Sequence, residues 1–306
     1  MNVFERYRRD IDVAKRRLAS LEWRSVDTAF GRIEYLDEGD GPVVLVIHGI
    51  TQAADGGLRD LGEELPHGYR LLVPSRFGYL ASEMPERATP ELQADAFAAL
   101  LDALAIRDAV VLAGSAGSTS ALQLAVRHRE RVRALVLVSA NVPGSHQSRG
   151  MPPKPVFRAI FASDPILWTM IAYLPGLMGR LSQVLVVPDG VRLNENDQEK
   201  MARAMKTVLL GKRKVAGEVF DAYVSNPSVN HIDLSHVRVP TLVMLARDDP
   251  GPPYANAVEM ARQIPDARMV TVEKGGHLML GEHAQATRDV ARFLEEHSAS
   301  PALISA

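Results

Sequence analysis

The chain comprises 306 residues, with 35 lysines and arginines against 37 aspartates and glutamates, which gives a formal net charge of −2. This length suits one large α/β domain with an insertion, and the near-neutral charge gives no indication of nucleic acid as a partner. The chain has no cysteine, which excludes disulfides, thiolate catalysis and zinc sites built on cysteine.

The N-terminal segment, residues 1–24, carries apolar side chains at intervals of three and four residues, with basic side chains between them: Phe4, Tyr7, Ile11, Ala14, Leu18 and Leu21. This spacing predicts an amphipathic helix that packs on its own domain or on a lid. A homodimer contact and a weak contact with a membrane surface are the alternatives. The segment is too charged for a signal peptide, and no stretch reaches the ~18 uninterrupted apolar residues of a membrane-spanning helix. We therefore expect a cytoplasmic protein without stable membrane insertion.

Short apolar runs of strand length follow, and segments of helical periodicity separate them. A strand pair joined through Gly31 is predicted over residues 26–36. Strands buried on both faces are predicted over residues 43–47, 70–73, 110–113 and 134–138. One intervening helix is expected to begin at Thr89–Pro90, an N-cap residue followed by proline at the first helical position. Strands that alternate with helices predict parallel βαβ units and a doubly wound sheet.

The fifth predicted strand leads into Gly114, Ser115, Ala116 and Gly117, and then into a helix predicted over residues 118–129. A strand-to-helix turn this tight pushes its central side chain out at the end of the sheet and needs small residues two positions to either side. The pattern predicts an exposed serine nucleophile at this turn. Small residues also join strands to helices without a catalytic role, so the interpretation depends on later segments.

The alternation of strands and helices stops after Ala140 and resumes at Pro240. Between these points, residues 156–187 form an apolar, aromatic-rich segment with helical character. A polar run spans residues 194–200, and a further helix is predicted near residues 201–210. We interpret residues 142–235 as helices inserted between two strands of the sheet.

Two segments near the C-terminus complete a pattern with Ser115. Residues 240–249 indicate a buried strand that ends in Asp248 and Asp249, and residues 267–277 indicate a strand, a Gly–Gly turn and His277. A hydroxyl nucleophile needs a base with a pKa near neutrality, and that base needs a carboxylate that fixes its tautomer. Serine, acid and histidine in this chain order are typical of the α/β-hydrolase triad.

These motifs, together with His48–Gly49 after the strand 43–47 and the segment 74–79, resemble the α/β-hydrolase superfamily in its serine-nucleophile, esterase-like branch. The resemblance covers residues 25–140 and 235–297. It implies an eight-stranded, mostly parallel sheet, with a core at residues 25–141 and 236–297. It also implies a helical lid at residues 142–235 and leaves a flexible tail at residues 298–306.

The resemblance assigns roles to the triad. Ser115 is the expected nucleophile and His277 the expected base. Asp249 is the expected acid, because family members carry it three positions after a small residue that ends the strand, here Ala246. Asp248 is the alternative.

Further site residues follow from the same resemblance. The backbone N–H groups of Ile50 and Ala116 are expected to form the oxyanion hole, and His48 is expected to shape the loop around Ile50. Phe161 and Trp168 are candidates for the walls of an apolar pocket under the lid, with packing between lid helices as the alternative. Arg76 either shapes the site or forms a structural ion pair. No metal and no cofactor are expected.

A serine at the turn argues against the dehalogenases and epoxide hydrolases of the family, which use aspartate there. It favours acyl transfer to water. The first hypothesis is a carboxylesterase acting on a small-molecule substrate with a small or medium acyl group. A C–C bond hydrolase or a lactonase on the same triad is the alternative among enzymes. A ligand receptor with little turnover is the alternative from another class of protein.

Overall fold

The structure is a computed structural model that describes residues 2–62, 65–144, 151–174, 190–281 and 284–298. Its sheet is built from eight strands: β1 Arg24–Thr28, β2 Gly31–Glu38, β3 Val43–Ile47, β4 Arg70–Pro74, β5 Ala109–Gly114, β6 Val132–Val138, β7 Thr241–Ala246 and β8 Ala267–Val272. They lie in the order β1–β2–β4–β3–β5–β6–β7–β8. The pairs β1–β2 and β2–β4 are antiparallel, and all other pairs are parallel. The predicted eight-stranded, mostly parallel sheet is confirmed.

Helices surround this sheet, and their bounds among the described residues are α1 Val3–Ala19, α2 Ala54–Gly57, α3 Pro90–Ala103, α4 Gly117–Arg127, α5 Lys154–Phe161, α6 Asp164–Tyr173, α7 Glu195–Thr207, α8 Val215–Phe220, α9 Tyr254–Gln263 and α10 Ala284–Ser298. A π-helical turn, Leu58–Gly62, continues α2, and a second one, Asp221–Ser225, continues α8. Within these ranges no helix combines the length and the apolar character that crossing a membrane requires.

The central strands are buried because helices cover both faces of the sheet. β5 and β7 are buried at every residue. One face packs against α3, α4 and α9, and the other face packs against α10. The continuous apolar runs in the sequence therefore mark strands that are covered on both sides, as parallel sheets require.

Of two predicted helix boundaries, one is confirmed and one changes. The helix that opens at Thr89–Pro90 begins as expected, since the Thr89 side chain accepts a hydrogen bond from the Leu92 N–H. The helix after Ser115 ends at Arg127 instead of residue 129, and a 3₁₀ turn follows.

The polar run 194–200 was expected to separate two helical pieces, and this expectation is wrong. Asn194 is the N-cap of α7, and Asp197 completes a capping box with it. The polar residues therefore form the first turns of the helix. Carboxylates in this position interact favourably with the helix dipole. Residues 175–187 of the predicted helical segment lie outside the described residues, as do residues 299–306 of the predicted tail.

The N-terminal helix packs on its own chain. Ile11, Ala14 and Leu18 lie in one apolar cluster with side chains of α5, α6 and α7. Asp10 accepts a hydrogen bond from Trp168 Nε1 at 3.0 Å. The helix thus rests on the inserted helices, while a homodimer contact stays a prediction.

A buried ion pair joins the loop after β4 to the inserted helices. The Arg76 guanidinium donates to both carboxylate oxygens of Asp221, at 2.5 and 2.6 Å, and the Tyr79 hydroxyl donates to the same carboxylate. Both charged side chains are fully buried. Burial opposes the charge on Arg76, but the Asp221 carboxylate outweighs it and raises the pKa of the guanidinium above its ordinary value. Arg76 therefore forms the structural ion pair.

Asp221→Asn is expected to lower the free energy of unfolding by about 3–5 kcal/mol, because it leaves the Arg76 charge buried without its carboxylate. Asp95→Asn is the matched control, since Asp95 also makes a two-bond pair with an arginine, Arg127, but at the surface. The control is expected to lose about 1 kcal/mol or less. Urea unfolding of both variants measures the difference, and equal losses would contradict the prediction.

Candidate active site

Ser115 lies in the turn between β5 and α4, and its φ of 48° places it in the left-handed region. Its N–H donates to the Val138 carbonyl at 3.0 Å, which pins the turn to the neighbouring strand. The turn has no room for larger neighbours. A Cβ at Gly117 would lie 2.6 Å from the His48 carbonyl oxygen. This crowding is the physical reason for the small residues of the motif.

Ser115 is hydrogen-bonded to His277, and His277 to Asp249, although these residues are far apart in the sequence. His277 Nε2 lies 2.9 Å from Ser115 Oγ. His277 Nδ1 lies 2.9 and 3.1 Å from the two carboxylate oxygens of Asp249. The Asp249 side chain is fully buried, and it also accepts the Gly251 N–H at 2.8 Å. This arrangement orients the imidazole so that Nε2 can take a proton from the serine hydroxyl.

Asp248, the alternative acid, has a different environment. Its carboxylate accepts the N–H groups of Gly275 and Gly276, at 3.0 and 2.9 Å. It thereby fixes the Gly–Gly turn that precedes His277. Of the two adjacent aspartates, Asp249 contacts the histidine ring, and Asp248 bonds to the backbone of the turn before the histidine.

Ser139 also holds the histidine, and sequence reasoning missed it. Its hydroxyl donates to the His277 carbonyl at 2.7 Å, and its φ of 47° is left-handed although it is not glycine. Strained backbone of this kind persists where the surroundings impose it, often near functional sites. A serine directly after a buried strand was the only signal in the sequence.

The loop after β3 carries the expected oxyanion donor Ile50, which lines one cavity with Ser115. Gln52 shapes this loop, since its Oε1 accepts the Gly49 N–H at 3.0 Å and its Nε2 donates to Asp60 at 2.5 Å. The N–H groups of Ile50 and Ala116 donate to none of the residues that the structure describes. Ile50 lines the cavity, whereas Ala116 is fully buried beside Ser115, and the role of both N–H groups as oxyanion donors stays a prediction.

His48 supports the same loop from inside the protein. Its Nε2 accepts the Arg76 N–H at 3.0 Å, so Nδ1 carries the hydrogen and donates to the Gly49 carbonyl at 2.8 Å. Burial, together with the positive charge of Arg76, lowers the pKa of His48 well below its ordinary value. His48 is therefore neutral, and its two hydrogen bonds agree with the structural role predicted for it.

The cavity beside Ser115 has a volume of about 100 Å³. Its apolar walls come from the ends of β5, β6 and β7, from α10 and from the turn after α2, and include Leu61, Leu65, Leu112, Val138, Met244 and Val290. Besides Ser115, Ser139 and His277, the polar residues that line it are Gln52, Asp60, Lys200 and Thr287. The strands of the sheet and the helices packed on it supply most of this wall.

Phe161 and Trp168, the predicted pocket walls, do not line this cavity. Phe161 stacks on Phe157 with ring centroids 4.2 Å apart, and Trp168 packs edge-on against Tyr7 of α1. Both lie in the apolar cluster between the inserted helices and the N-terminal helix. The prediction is corrected: Trp168 packs against the N-terminal helix, and Phe161 packs against Phe157 within the inserted helices. The inserted helices reach the cavity through Lys200, which the sequence did not single out.

Comparison with known proteins agrees with this geometry. A family model described as alpha/beta hydrolase fold matches residues 42–284. The chain is 26% identical over 262 residues to 2-hydroxy-6-oxo-6-phenylhexa-2,4-dienoate hydrolase of Burkholderia cepacia, covering 83% of this chain and 88% of the relative. It is 27% identical over 287 residues to 2-hydroxymuconate semialdehyde hydrolase of Pseudomonas putida, covering 90% and 95%.

A solved structure of an alpha/beta hydrolase fold protein from Nakamurella multipartita superposes with a TM-score of 0.70 at 27% identity, covering 89% of this chain and 99% of that one. The relatives are named as hydrolases, which confirms the predicted class of enzyme. With a family model spanning most of its length and the matching sheet, this chain belongs to the alpha/beta hydrolase fold family.

Proposed function

We propose that this protein is a serine hydrolase that cleaves a bond next to a carbonyl group through an acyl-enzyme intermediate, and that its substrates are carboxylic esters. The observation that carries the proposal is the hydrogen-bonded chain Ser115–His277–Asp249 at the wall of a small cavity. Each group has the partner that its role requires.

In this mechanism the Ser115 oxygen attacks the carbonyl carbon while its proton passes to His277 Nε2. The negative charge that forms on the carbonyl oxygen is stabilised by the N–H groups of Ile50 and Ala116. His277 then donates the proton to the leaving alcohol, and the acyl group stays on Ser115. A water molecule, deprotonated by His277, releases the acid and restores the serine. Asp249 stabilises the imidazolium in both halves of the reaction.

The cavity supports a short acyl group. Its volume of about 100 Å³ is smaller than the ~300–1,000 Å³ of pockets that hold drug-sized ligands. Its walls are mainly aliphatic, so an unbranched acyl chain of a few carbons fits their chemistry. We further propose that the inserted helices act as a lid, because α7 contributes Lys200 to the cavity wall.

C–C bond hydrolysis is the second candidate. The relatives are named for the hydrolysis of a dienoate and a semialdehyde, and a dienoate is a carboxylate. Lys200 has contacts of its own and also lines the cavity, where its ammonium group can in addition attract a carboxylate on the acyl part of the substrate. The carboxylate of Asp60 lines the cavity too, but it accepts a hydrogen bond from Gln52. The position of Lys200 favours an anionic acyl group, whichever bond is cleaved.

The test is hydrolysis of p-nitrophenyl esters of increasing acyl length, together with p-nitrophenyl succinate, by the wild type and Lys200→Met. We expect the highest kcat/KM with acyl chains of two to four carbons. Lys200→Met is expected to lose about 10–100-fold on the succinate ester, but about threefold or less on the acetate. Lys206→Met, an exposed lysine on the same helix, is the matched control.

Three results would count against these statements. An optimum at long acyl chains would contradict the assignment of the small cavity. Equal effects of Lys200→Met on both esters would remove the case for an anionic acyl group. Absence of turnover with every ester would exclude the carboxylesterase and leave the C–C bond hydrolase, which is then assayed with 2-hydroxy-6-oxo-6-phenylhexa-2,4-dienoate.

A further inference from the structure

Thr51, directly after the expected oxyanion donor Ile50, has a φ of 64°. This left-handed conformation is unfavourable for a β-branched residue and costs about 1–3 kcal/mol. Something outside the loop must therefore hold the backbone at this position. The backbone preferences of the loop residues do not by themselves explain its conformation.

Lys214 makes that contact from the inserted segment. Its ammonium group donates to the Thr51 carbonyl at 2.8 Å and to the Thr207 carbonyl at the end of α7. The side chain is only 3% exposed, and the residue lies directly before α8. One buried cation thus connects the oxyanion loop with two helices of the inserted segment.

The charged groups around Lys214 indicate that its ammonium group does more than fill space between the helices. Glu218, one turn further along, is fully buried, and its carboxyl oxygens have no hydrogen-bond partner among the described residues. Burial raises the pKa of Glu218 to about 8, although Lys214 opposes the shift. Burial lowers the pKa of Lys214, and the carboxylates of Glu218 and Asp55 oppose that shift. Among the described residues Lys214 bonds directly to carbonyl oxygens and to no carboxylate, so it depends on those carbonyl oxygens for its stabilisation.

From this geometry we infer that Lys214 is a positioning residue for the oxyanion hole: its bond to the Thr51 carbonyl holds the Ile50 N–H where the carbonyl oxygen of the substrate binds. The inference rests on the proposed serine hydrolase function. Its consequence is that the inserted helices determine the rate of the chemical step although Lys214 touches no substrate.

The first test uses Lys214→Met, which keeps most of the side-chain volume and removes the donors. We expect kcat for p-nitrophenyl acetate to fall about 10–100-fold, with KM within about threefold. This fall is no larger than the decrease in kcat that removal of an oxyanion donor causes. The rate of labelling of Ser115 by a fluorophosphonate is expected to fall in parallel, since its phosphoryl oxygen occupies the same hole. Lys212→Met, an exposed lysine two residues away, is the control and is expected to match the wild type.

The second test is rescue by Thr51→Gly in the Lys214→Met background. Glycine adopts a φ of 64° without strain, so the loop no longer needs the lysine to hold it. We expect recovery of about 3–10-fold in labelling rate, which a general loss of packing would not allow. If Lys214→Met does not fold, Lys214→Arg replaces it, because arginine keeps the buried charge but changes the position of the donors.

The outcomes separate the two proposals. If the wild type reacts with the fluorophosphonate and Lys214→Met reacts at the same rate, the role of Lys214 is overturned while the serine hydrolase stands. A fall in rate without any rescue by Thr51→Gly also overturns it. If the wild type itself reacts with neither the fluorophosphonate nor any ester, both proposals fail.

Discussion

Ser115→Ala is expected to lower kcat for p-nitrophenyl acetate about 10⁴–10⁶-fold, because among the described residues the Ser115 hydroxyl is the one that is hydrogen-bonded to the His277 ring. The variant should keep its fold, since the side chain that is removed is small and lies at the cavity wall. Substrate binding should change little. The residual rate comes from the remaining binding and oxyanion groups, which still act on a water molecule.

Ser120→Ala is the matched control. Ser120 lies on α4, five residues after the nucleophile, and its buried hydroxyl donates to the Gly117 carbonyl. We expect its kcat within about threefold of the wild type. Mass spectrometry of the fluorophosphonate-labelled protein should find the adduct on the peptide that contains Ser115. An adduct elsewhere, or a Ser115→Ala variant with full activity, would show that another residue is the nucleophile.

Asp249→Asn is expected to lower kcat about 10⁴-fold, which is the loss that the same change causes in a Ser-His-Asp triad of known mechanism. An amide cannot stabilise the imidazolium, and its NH₂ group favours the wrong tautomer of His277. The geometry of the site should survive, because the amide oxygen can still accept the Gly251 N–H. KM should stay close to the wild-type value.

Asp248→Asn provides the comparison, since it makes the same replacement of a carboxylate by an amide at the neighbouring residue. Its partners are the backbone N–H groups of Gly275 and Gly276, and one amide oxygen can serve both of them. We expect a loss of about tenfold or less, accompanied by a small decrease in thermal stability. A larger loss of kcat in Asp248→Asn than in Asp249→Asn would reverse the assignment of the acid.

The parts of the site that the sequence could predict are those with a local cause. Ser115 follows from the sterics of one turn, and the pair Asp248–Asp249 and His277 follow from their places after buried strands; the choice of Asp249 within the pair came from the resemblance to the α/β-hydrolase superfamily. The chain order then indicates which of these residues meet. Such signals lie within about ten residues, so one sequence is sufficient to detect them.

The parts that could not be predicted depend on contacts between distant segments. Trp168 has the apolar spacing of a pocket wall, but periodicity does not say which element covers it, and here that element is α1. Lys200 and Lys214 look like surface charges in the sequence, yet both are buried. For Lys214, the contact with the Thr51 carbonyl comes from the packing of the inserted segment on the loop after β3.

The inserted segment also has a consequence for the order of folding. Ser115 and His277 are 162 residues apart, and they meet only after β7 has paired with β6 in register, with Leu135 opposite Thr241. Closing so long a loop is slow compared with forming helices. During refolding, helical signal should therefore return well before Ser115 becomes reactive, and a protein stalled between the two stages would have most of its secondary structure but no active serine.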